Sequence, residues 1–144
     1  GYTGASLDSN THSGELDLFL VKYDSSGNNS WTKQLGTSTS DYARGVSVDA
    51  DGNISFTGYT TAALDGQTHY GSDDLFLVKY NSSGTKLWTR QLGTSTLDRG
   101  VDVIHDASGN AYIAGSTLGD LDYQRSKGGD DLFLVKYNYD GVKQ

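Results

Sequence analysis

Cysteine is absent from this 144-residue chain, so neither a disulfide framework nor a thiolate metal site can form. Methionine is absent as well. The chain opens on Gly1-Tyr2-Thr3, a string that recurs in its interior, and we expect a processed or excised piece of a longer protein. Positive charge is scarce: 11 Lys and Arg stand against 18 Asp and Glu, for a net charge of −7. That balance argues against nucleic acid as a partner, because phosphate binding needs a basic patch. It also disfavours anionic membrane surfaces. The longest apolar stretch is Leu18–Val21, too short for a signal peptide or a transmembrane helix, so no membrane insertion is expected. No Ser/His/Asp arrangement or Gly-rich phosphate loop is present, and no catalytic residue is assigned.

What the chain does contain is repetition. Asp-Leu-Phe-Leu-Val-Lys-Tyr occurs at 17–23, 74–80 and 131–137, spaced by 57 residues each time (74 − 17 and 131 − 74). A fixed period of that length marks a repeat protein. It divides the chain into 1–57, 58–114 and a half unit, 115–144. Gly, Tyr, Thr, Ser, Asp and Asn dominate, which suits short strands joined by tight turns.

Each unit predicts four strands of about five to seven residues in a hairpin-connected meander. Gly-Tyr-Thr at 1 and 58 becomes Gly-Ser-Thr at 115. A Leu-Asp pair follows (7–8, 64–65, 121–122), then the repeated heptapeptide. A turn at 24–27, 81–84 or 138–141 leads to Trp31–Gly36 or Trp88–Gly93. A third strand then runs from Asp41 or Asp98 to the turns at 49–53 and 106–110, and a fourth covers 54–57 or 111–114. Phe-Leu-Val with flanking Leu is apolar on both faces, which a single sheet cannot bury. Sheets stacked radially, as blades of a β-propeller, bury it.

On this reading the fold is all-β, with tandem four-stranded antiparallel blades. The chain supplies the last two strands of one sheet, one full sheet and three strands of another, about two and a half blades. Arg44-Gly45-Val46 reappears at Arg99-Gly100-Val101, offset by 55 rather than 57. A slip of two residues would keep each side chain on its face. The extra length of the unit falls in loops 4–14, 61–71 and 118–128.

Several segments carry a family resemblance: Gly-Tyr-Thr, Leu-Asp-Gly at 64–66, Asp-Leu-Phe-Leu-Val-Lys-Tyr-Asn-Ser-Ser-Gly at 74–84, Trp-Thr-Arg-Gln-Leu-Gly-Thr at 88–94, and Val-Asp-Ala-Asp-Gly-Asn at 48–53. In these the chain resembles the SBBP family of bacterial β-propeller repeats. The resemblance implies propeller blades in large secreted or surface-attached proteins, hence an extracellular or cell-surface location. Few members have a defined activity. The chain departs from the family at Ile104-His105, where a small or aliphatic residue usually precedes the Asp turn, and this leaves the facing of that strand open.

Candidate sites are few. Asp49, Asp51 and Asn53 alternate oxygen-bearing side chains as a calcium loop does, but Asx-Gly pairs are also what hairpins require. The turn is the favoured reading, and no cofactor is assigned. Acids precede each heptapeptide (Glu15 with Asp17, Asp73-Asp74, Asp130-Asp131). Strand-edge charge explains them better than general acid–base catalysis. Lys22, Lys79 and Lys136 are expected to pair with a blade carboxylate such as Asp41 or Asp98. Trp31 and Trp88 fit an inter-blade core. Tyr70 and Tyr123 fall in the variable loops and, with Asp65 and Asp122, are the ligand candidates.

The expectation is therefore a non-enzymatic extracellular structural or interaction module, self-assembling or part of something longer. Its partners would be other blades, copies of itself, glycans or surface proteins. The alternative is a carbohydrate-binding propeller with shallow sites related by the repeat.

Overall fold

The computed structural model describes residues 1–144, and the chain is all-β apart from two single 3-10 turns, Leu64–Gly66 and Leu121–Tyr123. Ten strands form three antiparallel sheets. The N-terminal sheet comprises β1 (Tyr2–Thr3), β2 (Asp17–Tyr23) and β3 (Asn29–Leu35). The central sheet is a meander of β4 (Asp41–Val48), β5 (Ile54–Thr60), β6 (Asp74–Tyr80) and β7 (Lys86–Leu92). The C-terminal sheet comprises β8 (Asp98–His105), β9 (Ala111–Thr117) and β10 (Asp131–Tyr137). The three sheets stack in sequence and do not close on themselves.

One turn design joins β2 to β3, β4 to β5, β6 to β7 and β8 to β9, and it follows β10 as well. The first residue (Asp24, Asp49, Asn81, Asp106 or Asn138) accepts through Oδ1 from the N–H groups two and four positions on, at 2.8 to 3.1 Å. The fourth residue is always Gly, with φ between +73° and +82°. An Asx side chain that caps the turn and a Gly at left-handed φ make a three-residue hairpin loop with a bulge.

Alternation along the heptapeptide builds two cores. In β6, Leu75 and Leu77 face the C-terminal sheet and pack with Val103, Ile113, Val135 and Tyr137. Phe76, Val78 and Tyr80 face the other way, packing with Leu18 and Phe56. The same seven residues in the outer sheets have a neighbour on one side only. Leu132 and Leu134 are 89% and 71% exposed, whereas their equivalents Leu75 and Leu77 are 1% and 0% exposed. At the opposite end Tyr23 is 61% exposed and its equivalent Tyr80 only 5%.

Two expectations need correction. The N-terminal sheet has three strands, because the opening Gly-Tyr-Thr still forms a short strand: Tyr2 pairs with Leu18 and Thr3 with Asp17, and Phe19 N–H donates to the Gly1 carbonyl at 2.9 Å. There is also no two-residue slip. Strands β4 and β8 begin at Asp41 and Asp98, still 57 apart (98 − 41), and each carries a bulge at the same place, Arg44 and Val101. The repeated Arg-Gly-Val string is therefore not structurally equivalent. His105 pairs in register with Ala111 and turns its ring to the central sheet, where its nitrogens meet Ser47 Oγ at 3.1 Å and Ser55 Oγ at 3.0 Å. Ile104 faces outward, 61% exposed.

Candidate functional site

The long β5–β6 and β9–β10 connections are held by a buried leucine, Leu64 or Leu121. After it comes an aspartate in the left-handed region, Asp65 at φ +52° and Asp122 at φ +54°, a conformation that short polar side chains tolerate. Each carboxylate is fastened to the strand position that follows. Asp65 binds the Lys86 ammonium and accepts from the Thr89 hydroxyl at 2.5 Å, and Asp122 binds Lys143. Asp8 does the same in the first unit, accepting from the Thr32 hydroxyl and from Asn29 Nδ2 at 3.1 Å.

Three of the four candidate ligand residues meet in one cleft. Tyr70 from the central sheet and Asp122 and Tyr123 from the C-terminal sheet line an open recess of about 600 Å³, with Asp120, Arg125 and Lys143. Tyr70 is 57% exposed and Tyr123 fully so. Asp65 lies apart, in a second recess of about 590 Å³ beside Lys86, Trp88 and Arg90.

Sequence reasoning missed the residue that organises this rim, Gln91. Its side-chain amide donates to the Ala62 carbonyl at 3.1 Å and to Asp74 Oδ2 at 2.9 Å, and its oxygen accepts from Leu64 N–H at 2.9 Å. Gln34 makes the same three contacts in the N-terminal sheet, with Ala5 O, Asp17 Oδ2 and Leu7 N. The signal was visible as the repeated Gln-Leu-Gly. Gly93 belongs to the same device, since a Cβ there would collide with Asp74 Oδ1.

Five of the six acids at the start of the heptapeptides are engaged within the fold. Besides Gln91, Asp74 accepts from Tyr70 N–H at 2.9 Å, and Asp17 accepts from Ser13 N–H at 2.8 Å. Asp73 binds Arg99 at 2.6 Å, and Glu15 accepts from the Ser40 hydroxyl at 2.8 Å. Asp131 takes Lys127 N–H at 2.7 Å, and that bond leads the causes that hold its carboxyl below the ordinary value. Asp130 is exposed.

The lysines do not pair with Asp41 or Asp98. Those two carboxylates are taken by threonines: Thr60 and Thr117 hydroxyls donate to their Oδ1 atoms, and Thr37 and Thr94 cap their Oδ2 atoms through N–H and hydroxyl. Short hydroxyls at fixed strand positions reach a buried carboxylate that a lysine from the far end of β6 does not. Burial pushes the Asp41 carboxyl above the ordinary value, with the Thr60 and Thr37 hydrogen bonds opposing.

Lys79 instead reaches Asp49 Oδ2 at 3.0 Å and lies 3.9 Å above the Tyr139 ring. The same carboxylate heads the calcium-like turn. Asp49 also accepts from Asn53 N–H at 2.8 Å and Asn53 Nδ2 at 3.0 Å, so its carboxylate is already shared between its own turn and an ammonium. Burial alone would raise the Asp49 carboxyl, but the Asn53 bonds and the Lys79 charge hold it below the ordinary value. Asp51 is exposed.

Lys22 donates to the Ser82 carbonyl at 2.7 Å, and Lys136 lies 5.2 Å above the Tyr112 ring. Both tryptophans join adjacent sheets. Trp31 Nε1 donates to Ser82 O at 3.3 Å and Trp88 Nε1 to Tyr139 O at 3.2 Å.

Residues 30–64 and 87–122 match the SBBP β-propeller repeat. The chain is also similar to an uncharacterized WD repeat-containing protein of Acanthamoeba polyphaga mimivirus, 29% identical over 168 aligned positions and covering 96% of this chain. Regulatory protein FlaEY of Caulobacter vibrioides is 26% identical over 142 positions, covering 91% of this chain. The chain spans only 12% and 15% of the lengths of those two relatives. Its two matched segments each run from the Trp strand through the Asx turn to the Leu-Asp loop, so residues 30–64 and 87–122 are two repeats of the SBBP β-propeller family.

Proposed function

We propose that the chain is a non-enzymatic interaction module of the cell exterior, its three sheets being consecutive propeller blades and its partners further blades or copies of itself. Ten strands at four per blade are two and a half blades. The carrying observation is the contrast between Leu132 and Leu134, largely exposed, and their buried equivalents Leu75 and Leu77. Burying a leucine stabilises by about 1.5–3 kcal/mol, so this face gains from any covering surface of the right shape. The shape is supplied within the molecule. The face that covers Leu18 carries Phe76, Val78 and Tyr80, and the free N-terminal face carries the same residues as Phe19, Val21 and Tyr23. One copy's C-terminal face therefore fits another's N-terminal face, a heterologous contact. The engagement of Asp17, Asp73 and Asp74 within the fold supports the absence of catalysis.

Two variants test this together. Tyr23→Glu spoils the N-terminal face and Leu134→Glu the C-terminal face. Each alone is expected to sediment as a single chain, and an equimolar mixture as dimers through the one intact pair of faces. A mixture that stays monomeric would sink the reading.

The Tyr70–Tyr123 cleft favours a second reading, a carbohydrate-binding rim. Exposed aromatic faces beside Asp120, Asp122 and Arg125 suit a sugar ring with its hydroxyls. Saturable perturbation of the two tyrosines by a neutral oligosaccharide, lost in Tyr70→Ala/Tyr123→Ala, is the expected sign; no response across a sugar panel removes this reading.

A further inference from the structure

The units share one frame, so the positions at which they differ carry what the shared pattern does not. Such differences gather in the recess between the central and C-terminal sheets. Its frame repeats the preceding unit: the strand end at 91–93 matches 34–36, and Asp122 with Lys143 matches Asp65 with Lys86. Both acid–lysine pairs are made. Four other residues of the recess are replacements. Tyr70, Asp120, Tyr123 and Arg125 stand 57 places after Ser13, Ala63, Gly66 and Thr68.

Packing does not call for these replacements, because all four residues are exposed. Ala63, Gly66 and Thr68 are exposed as well, in a sheet whose four strands are all present. Openness at these positions therefore belongs to the unit. What changes is the chemistry, from a small neutral surface to two phenol rings, an acid and a guanidinium.

The charges in the recess are not equally available. Asp122 holds Lys143, and Asp120 Oδ1 accepts from Ser126 N–H at 2.8 Å. Arg125 takes part in none of the four ion pairs of the fold, which leaves its guanidinium free for a ligand. A guanidinium is a planar fork that meets a carboxylate through two parallel bonds. Exposed tyrosine rings supply flat apolar faces with a polar tip.

Resting on the carbohydrate-binding reading above, we propose that this cleft takes an acidic glycan, a chain of pyranose rings bearing uronic acid. Tyr70 and Tyr123 pack against the rings, Arg125 grips the carboxylate, and Asp120 accepts from sugar hydroxyls through its other oxygen. The recess of about 600 Å³ lies within the range of about 300–1,000 Å³ usual for small-ligand sites. The chain's net charge of −7 works against polyanions elsewhere on the surface. Selectivity thus rests on one guanidinium rather than on a basic patch.

The test is calorimetric titration of the unaltered chain with trisaccharides of galacturonate, mannuronate and guluronate, each beside its methyl ester. The ester keeps the ring and removes the charge. At least one acid should bind at least about tenfold more tightly than its ester, the worth of a hydrogen bond to a charged group. Arg125→Gln should abolish that preference and leave the ester's affinity within about twofold, as an exposed substitution does. Tyr70→Ala/Tyr123→Ala should abolish binding of both forms. Equal affinity for acid and ester would overturn this proposal and leave the sugar reading standing, whereas no binding by any probe would overturn both. A preference that persists in Arg125→Gln, or a glutamate trimer held as tightly as the uronates, would also overturn it.

Discussion

Lys79 Nζ sits 3.0 Å from Asp49 Oδ2, and both side chains are only 1% exposed. The pair ties the β4–β5 turn to the end of β6, and the Tyr139 ring covers it from the C-terminal sheet. Removing one member leaves the other as a buried, uncompensated charge, which typically costs about 3–5 kcal/mol. Lys79→Met should lower unfolding stability by that order in urea titration. Asp49→Asn together with Lys79→Met should recover much of the loss. Asn already begins the equivalent turns at Asn81 and Asn138, so the turn survives the change. A double variant no better than Lys79→Met would contradict the pairing as the source of the effect.

Acid should unfold the chain through its turn aspartates. Asp106 is pulled down to about 2, foremost by the Asn110 side chain, and Asp24 is lowered foremost by Asn28. Asp49 and Asp131 are lowered as well. A carboxyl depressed in the folded state adds stability above its unfolded value of 3.8 and loses it as pH falls through the folded value. Asp41, raised by burial, acts in the opposite sense, its contribution fading as pH rises. Of these carboxyls Asp106 carries the large shift, and its sign sets the slope. Urea midpoints should therefore fall between about pH 4 and pH 2. Asp106→Asn should flatten that slope while remaining folded, since Asn supports the same turn elsewhere. An unchanged slope would remove Asp106 from the account.

Gln91 should prove as costly as a core residue. Gln91→Ala strands the Leu64 N–H, the Ala62 carbonyl and the Asp74 carboxylate, for a loss of about 2–4 kcal/mol. Urea unfolding measures the total, and hydrogen exchange should show the Leu64 amide released first. Loss of stability without faster exchange at Leu64 would mean that the glutamine does not hold the loop.

How much of this could be read from residues alone depended on range. The period and the doubly apolar heptapeptide were legible because they are identical at 17–23, 74–80 and 131–137. The turns were legible because Asx and Gly recur at fixed spacing. Thr60 on Asp41 and Gln91 on Leu64 were not, since those partners lie 19 and 27 residues apart and meet only when strands pair. Lys79 was misassigned for the same reason. Asp41 opens β4 and Asp49 follows its end, and only the pairing of β4, β5 and β6 decides which one the Lys79 ammonium reaches. The Arg-Gly-Val string misled because its copies are offset: Arg44 is itself the bulged residue, whereas Arg99 lies two places before the bulge at Val101, although both reach the Tyr59 ring, at 5.5 and 4.8 Å. At the rim, chain direction brings Tyr70, Asp122 and Tyr123 to one recess and sends Asp65 to a different one.

The most direct test of the central claim is the native mass of the unaltered chain, by light scattering behind a sizing column. Complementary outer faces predict a mass well above 15.4 kDa: a small discrete multiple if copies close a ring, or a broad, very large species if they run on as a filament. A single monodisperse peak at 15.4 kDa would show that the exposed leucines of β10 and the free face of β2 do not find one another, and the account of a stacking module would fail.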